Sequence, residues 1–176
     1  VVHNGIIENY IPLREKLTKR GYKFVSDTDT EVIAHLLDYY YKGNPLETIT
    51  KVLHRVEGSY AFGIMFADQP DEIFAVRKGS PLIVGKNETG SFIASDVPAI
   101  LKYTRSVYFV EEQEVACLKK DSIRFFTVDE EEIQKECVHI DCDENAAEKG
   151  GYEHFMLKEM YEQPKTVQDT LMPRLR

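Results

Sequence analysis

The chain opens with the stretch VVHNGIIENY, residues 1–10, and this stretch decides the fold. Two valines followed by an Asn-Gly dipeptide are typical of a buried β-strand that ends in a turn. We interpret Val1–Gly5 as the end of a buried strand, where the side-chain amide of Asn4 and the backbone N–H of Gly5 point at one external atom. Two convergent donors of this kind form an oxyanion hole. The alternative is that Asn-Gly is simply a favourable turn dipeptide with positive φ.

The composition is that of an ordinary globular protein. The 176 residues are 43% hydrophobic and 30% charged, enough for one domain with a sizeable core. A net charge of -8 argues against nucleic acid or an anionic membrane as partner. Three cysteines give no disulfide framework, and no apolar run is long enough to span a bilayer. We therefore expect a soluble, cytoplasmic protein. Because the chain starts at Val1 without a methionine, we also expect coding sequence upstream.

The first third of the chain shows helical spacing of apolar residues. Asparagine, threonine and proline mark the predicted starts, and glycine marks two of the predicted ends. The predicted elements are a helix from Ile6 to Gly21, a short strand Tyr22–Val25, a helix that starts at a Thr28/Glu31 capping box and reaches Tyr40, and a helix from the Asn44 cap to Gly58.

From Ser59 onward the pattern changes to short β-rich runs separated by turn residues. The first run, SYAFGIMFA, is apolar at odd and even positions, which favours a strand buried on both faces. The fold class predicted is therefore α+β in layers. The seven predicted strands are 59–67, 71–77, 81–85, 91–95, 106–110, 114–118 and 122–128.

Asp29 lies in SDTDTEV at the entry to the second predicted helix. A carboxylate there is explained by capping and by the helix dipole. The functional alternative is that Asp29 holds an ammonium group of a ligand.

An acidic, glycine-ended segment after Val128 marks a predicted boundary. We assign residues 1–150 to the first domain, and 151–176, with helical spacing interrupted by Pro164, to the start of another. CVHIDC, residues 137–142, offers Cys137, His139, Asp141 and Cys142, but no usual ligand spacing. No metal and no cofactor is expected.

Several blocks together resemble the glutamine amidotransferase half of the glutamine–fructose-6-phosphate aminotransferase family. They are HNGIIENY, LREKLTKRGYKFVSDTDTEVIAHLL, GSYAFGIM, RKGSPLIVG, FIASD and HFMLKEMYEQP, and they span nearly the whole chain. The resemblance implies an N-terminal-nucleophile hydrolase fold, an αββα sandwich, here truncated at its N-terminus. It also implies a cysteine nucleophile whose own α-amine is the general base, with L-glutamine as substrate and ammonia and glutamate as products.

The resemblance implies site roles for three residues. Val1–Gly5 correspond to a central strand that ends in the oxyanion hole, which Asn4 and Gly5 form, and Asp29 corresponds to the carboxylate that binds the substrate's α-ammonium group. Residues after about 151 correspond to the linker into a sugar-phosphate isomerase domain, where fructose 6-phosphate would bind.

The sequence departs from the family pattern at the nucleophile. No cysteine stands at the start, and neither Cys117, Cys137 nor Cys142 matches it. We expect the chain as given not to hydrolyse glutamine; activity above that of an Asn4→Ala control would contradict this. The alternative is a catalytically dead glutamine-binding or scaffolding domain. Because exposed sheet edges pair with other chains, we also expect self-association.

Overall fold

The computed structural model describes residues 1–141 and 150–172, in two units, Val1–Ile140 and Asp141–Arg176. The first unit holds ten strands and four helices, and the described residues of the second hold one helix. The strands are β1 Val2–Ile7, β2 Gly58–Phe66, β3 Gln69–Lys78, β4 Ile83–Lys86, β5 Ser91–Ala94, β6 Ser106–Phe109, β7 Glu114–Leu118, β8 Ile123–Thr127, β9 Glu132–Ile133 and β10 Val138–His139. The helices are α1 Tyr10–Lys19, α2 Thr30–Tyr40, α3 Pro45–Leu53, α4 Val97–Leu101 and, in the second unit, α5 Phe155–Leu171.

The first unit is a four-layer αββα sandwich. One antiparallel sheet has six strands in the order β1-β2-β3-β7-β8-β9, and the other has four in the order β10-β6-β4-β5. Helices α1 to α3 pack on one face of the six-stranded sheet, and its other face packs on the four-stranded sheet. Helix α4 covers the far face of the smaller sheet through Ile100. The predicted α+β layered class is confirmed.

Strand β2 shows why two sheets are needed. Phe62 and Ile64 belong to the core beneath the helices, whereas Ala61 faces the core between the sheets. The strand is therefore buried on both faces, as its doubly apolar sequence predicts. All seven predicted strands are present, with small shifts at their ends.

The start of the chain differs from the prediction in two ways. Strand β1 continues through Asn4 and Gly5 to Ile7, so the dipeptide lies inside the strand and forms no turn. Among the residues that the structure describes, β1 pairs only with β2 and is an edge strand of its sheet, not a central one.

Boundaries of all three predicted helices also differ. The first helix starts at Tyr10 and not at Ile6, because Ile6 belongs to β1. Helix α3 starts as predicted, with Asn44 accepting from the Glu47 N–H, but it ends at Leu53. Gly58 instead begins β2 with φ +123°, and a Cβ there would lie 2.2 Å from the Ile6 carbonyl oxygen. Helix α2 has Asp29 as its N-cap, so the Thr28/Glu31 capping box is wrong.

Three smaller details differ from the predictions. Residues Tyr22–Val25 form no strand. The acidic segment after Val128 contributes the short strands β9 and β10, and the limit between the two units falls inside that segment, after Ile140. Helix α5 passes through Pro164, although proline there has no N–H to donate to the carbonyl four residues earlier. No helix within the described ranges is long and apolar enough to cross a membrane.

Candidate functional site

Strand β1 and the N-terminus of α2 meet at Asp29. One carboxylate oxygen, Oδ2, accepts a hydrogen bond from the Ile7 backbone N–H at 2.8 Å. The other, Oδ1, lies 4.0 Å from His3 Nδ1. Asp29 therefore contacts β1 on both sides of Asn4 and Gly5, which brings the three predicted site residues to one edge of the sheet.

The Asp29 side chain does not cap α2, although capping was the simpler explanation of its position. It is the N-cap residue of α2, yet its side chain makes no capping hydrogen bond. The carboxylate instead bonds a strand amide 22 positions away, while 24% of the side chain stays exposed. Its position at the helix N-terminus still stabilises the negative charge.

The register of β1 indicates where its other amides point. The Glu8 N–H donates to the Glu57 carbonyl at 2.9 Å. On an antiparallel strand, the N–H groups of residues two apart point to the same side. Even-numbered amides of β1 therefore face β2, and odd-numbered ones face the other way. The Gly5 N–H lies on the same edge as the Ile7 N–H that Asp29 binds.

Gly5 is required by its backbone. Its φ is +119°, and a Cβ built there would lie 2.0 Å from the Ser59 carbonyl oxygen on the neighbouring strand. No side chain fits that space, so the identity of this residue is fixed by the close approach of β2.

Asn4 presents an exposed amide next to Gly5. Its side chain makes no hydrogen bond to any residue within 1–141 and 150–172. An amide in this state is available to donate to a ligand. The assignment of Asn4 and Gly5 to an oxyanion hole remains a prediction.

His3 is buried behind this edge. Its side chain is 3% exposed, its Nδ1 lies 2.9 Å from the Thr30 hydroxyl oxygen, and its ring packs on Phe62 with centroids 5.0 Å apart. Its Nε2 is buried with no partner in the described part of the chain. Burial lowers the pKa of His3, and the nearby Asp29 charge only partly opposes that shift. His3 is therefore neutral at neutral pH and ties β1 to the first turn of α2.

The burial of His3 predicts an acid-sensitive fold. Its folded-state pKa lies below the unfolded value of about 6.5, so the unfolded chain binds the proton more readily. The contribution of His3 to stability is complete above pH about 6.5 and falls as the pH drops toward the folded pKa. We expect urea denaturation between pH 7 and 5 to show a loss of stability that is smaller in His3→Gln. Equal pH slopes in the two proteins would contradict this.

Glu31 holds the loop that carries Asp29. It accepts hydrogen bonds from the Ser26 hydroxyl at 2.6 Å and from the Val25 and Ser26 amides, each at 2.8 Å. The Ser26 hydroxyl and the Val25 amide are the main causes that lower the pKa of Glu31 to about 2. Sequence reasoning missed this role, because it assigned Glu31 to a capping box.

Neither described cysteine belongs to β1 or to the start of α2, the elements that form this site. Cys117 lies in β7, and its thiol donates a hydrogen bond to a Glu72 carboxylate oxygen at 3.6 Å. Burial, together with that carboxylate, raises the pKa of Cys117 to about 11. Cys137 is exposed and unpaired by disulfide, and Cys142 lies outside the described residues. A thiol with the pKa of Cys117 is almost entirely protonated near neutral pH, so it is a poor nucleophile.

Of the four candidate ligands in CVHIDC, Cys142 lies outside the described residues. Within the described ranges, no three histidine, cysteine, aspartate or glutamate side chains come together to hold an ion.

An αββα sandwich with an exposed edge amide, a glycine at positive φ and a carboxylate at a helix N-terminus fits a glutamine amidotransferase. The glutamine amidotransferase domain family matches residues 1–102, and the chain belongs to that family. Over 175 residues, 99% of the chain, it is 57% identical to the glutamine–fructose-6-phosphate aminotransferase (isomerizing) of Clostridium acetobutylicum. The corresponding protein of Thermus thermophilus is 47% identical over 176 residues. The chain spans 29% of the length of each of these relatives.

Solved structures agree on the fold. Glutamine phosphoribosylpyrophosphate amidotransferase from B. subtilis, complexed with ADP and GMP, superimposes with a TM-score of 0.63 at 27% identity. That match covers 72% of this chain and 28% of the other. The predicted N-terminal-nucleophile αββα fold is thereby confirmed.

Proposed function

We propose that the chain is the glutamine-hydrolysing part of an enzyme that makes glucosamine 6-phosphate from fructose 6-phosphate and glutamine. The observation that carries this is the 57% identity to an aminotransferase of that name across 99% of the chain. L-Glutamine is the ligand of this part. Fructose 6-phosphate binds elsewhere in the complete protein, in an isomerase domain that follows the linker at 151–176.

The reaction is acyl transfer to sulfur. A cysteine thiolate, its proton taken by that residue's α-amine, adds to the carboxamide carbon of glutamine. The α-amine suits this task because its reference pKa is about 7.7 to 8.0. The C–N bond breaks as the α-ammonium group returns that proton to the leaving nitrogen, which departs as ammonia, and water then cleaves the thioester to glutamate and free thiol.

The chain's own residues serve the charged groups of the substrate. The Gly5 N–H and the Asn4 side-chain amide donate to the oxygen that becomes negative when the thiolate adds. Asp29 binds the α-ammonium group of glutamine. Its hydrogen bond from the Ile7 N–H at 2.8 Å keeps the carboxylate at the strand edge where that charge is needed.

We infer that the nucleophile is neither Cys117 nor Cys137, the two cysteines that the structure describes. Cys117 is buried in a sheet with a pKa of about 11, and neither Cys117 nor Cys137 belongs to β1 or the start of α2. We therefore expect this chain alone to release no ammonia from glutamine. An assay in which it exceeds an Asn4→Ala variant would contradict the expectation.

The complete protein tests the proposed function. It is incubated with glutamine and fructose 6-phosphate, and glucosamine 6-phosphate is measured with and without each substrate. Formation of the product from both substrates together supports the proposal. Binding of glutamine without any product would favour the alternative of a non-catalytic glutamine-binding domain. We place the protein in the cytoplasm, in keeping with fructose 6-phosphate, a phosphorylated metabolite, as one of its substrates.

Self-association follows from the edge position of β1. Edge amides without strand partners pair with other chains, and β1 carries exposed Val2 and Ile6. We expect sedimentation of this chain to show a concentration-dependent oligomer that Val2→Lys weakens. Monomer across a broad concentration range would contradict this expectation.

A further inference from the structure

The outer surface of the helical layer carries two adjoining hollows of about 450 and 280 Å³. They share Tyr39, Tyr40 and Arg55, and we call them together the basic groove. Five lysines and arginines line the groove, and no aspartate or glutamate among the described residues does. Its basic side chains are Lys16, Arg20, Lys42, Lys51, Arg55 and His54.

This concentration of positive charge is unusual for the chain. Aspartate and glutamate outnumber lysine and arginine by 30 to 22. A third hollow, beside Val1, is lined by Asp38 and Asp68, and a fourth has no charged lining. The basic groove is thus a local reversal of the protein's overall charge.

The negative C-terminal ends of nearby helices balance only part of the positive charge in the groove. Helices α1, α2 and α3 all end near the groove, at Lys19, Tyr40 and Leu53. Each C-terminus carries about half a negative charge, roughly 1.5 in all. Together with Glu47, which pairs with Lys51, this offsets about half of the five cations.

The remaining groups are free to bind. Lys16, Lys42 and Arg55 have no carboxylate within ion-pair distance among the residues described. The Tyr40 hydroxyl likewise has no partner there. Arg20 donates to the Tyr39 hydroxyl and lies over its ring, 4.5 Å from the centroid, which fixes that wall.

We propose that the basic groove binds a small phosphorylated metabolite. An arginine fork and a lysine ammonium group match the oxygens of a phosphate, and the Tyr40 hydroxyl adds a donor. A volume of about 450 Å³ suits a small molecule. The groove lies on α1, α2 and α3, whereas the glutamine site lies on β1 and at the start of α2, so this site does not depend on the proposed function.

Equilibrium dialysis of this chain with radiolabelled pyrophosphate tests the proposal. We expect saturable binding that salt weakens and that Lys42→Gln/Arg55→Gln weakens at least about tenfold. The charge-matched control is Lys19→Gln/Lys23→Gln, which removes two exposed cations outside the groove. It should stay within about twofold of the native chain, and Asp29→Asn should bind as the native chain does.

Three results would overturn the proposal. One is no saturable binding by the native chain, and another is an equal loss in both double variants. The third is displacement of pyrophosphate by a single-stranded oligonucleotide at lower phosphate concentration than by unlabelled pyrophosphate, which would assign the groove to nucleic acid.

Discussion

Gly5→Ala is expected to destabilise the chain by about 3 to 5 kcal/mol. The added Cβ would lie 2.0 Å from the Ser59 carbonyl oxygen, and the backbone φ of +119° disfavours any L side chain. Neither β1 nor β2 can shift freely, because Ile7 and Tyr60 on either side of this contact are buried in the main core. Urea denaturation measures the loss.

Gly21→Ala is the matched control for that measurement. Gly21 also has a positive φ, +95°, but nothing lies within 4 Å of where its Cβ would stand. The control therefore shows only the backbone strain, about 1 to 2 kcal/mol. If the two variants lose the same stability, the close approach of β2 to Gly5 is not what requires glycine there.

Asn4→Ala is expected to lower kcat for glutamine hydrolysis by about 100- to 1000-fold in the complete protein. One of two proposed oxyanion donors is lost, whereas the groups that bind the rest of the substrate remain, so KM should change little. Folding stability should not change, because the Asn4 side chain is exposed and makes no hydrogen bond in the described part of the chain.

Asn44→Ala should lower stability without lowering kcat, the reverse of Asn4→Ala. Asn44 is also exposed, but its side chain accepts from the Glu47 N–H and caps α3. Removing a cap costs about 1 kcal/mol of stability and should leave kcat unchanged. An Asn4→Ala enzyme with native kcat would show that Asn4 does not stabilise the oxyanion.

The layered fold could be predicted where burial leaves a clear pattern. Strand β2 is apolar at odd and even positions because a core lies on each side of it. The strand predicted at Tyr22–Val25 is wrong because that segment is not buried in a sheet. Its residue types favour a strand, but the Val25 N–H donates to Glu31 and Val25 is 94% exposed. Helix α4, with five residues, is too short to show helical spacing.

The sequence indicated candidate residues for the site but could not show that they act in it. HNG and the position of Asp29 before a helix indicated candidates, but each had a simpler explanation. What distinguishes Asp29 is its hydrogen bond to Ile7, 22 residues away, and that contact depends on how α2 packs beside β1. No local pattern encodes it. The same holds for Gly5, whose requirement comes from Ser59 on another strand.

The most direct test of the glutamine site is the KM for glutamine of Asp29→Asn in the complete protein, compared with Asp27→Asn. Asp27 lies in the same loop with a fully exposed side chain 4.0 Å from Arg14, so it controls for a lost charge nearby. If Asp29 binds the α-ammonium group, its variant should raise KM about 10- to 100-fold, and Asp27→Asn should not. KM values within about twofold of each other would contradict the assignment of this edge as the glutamine site.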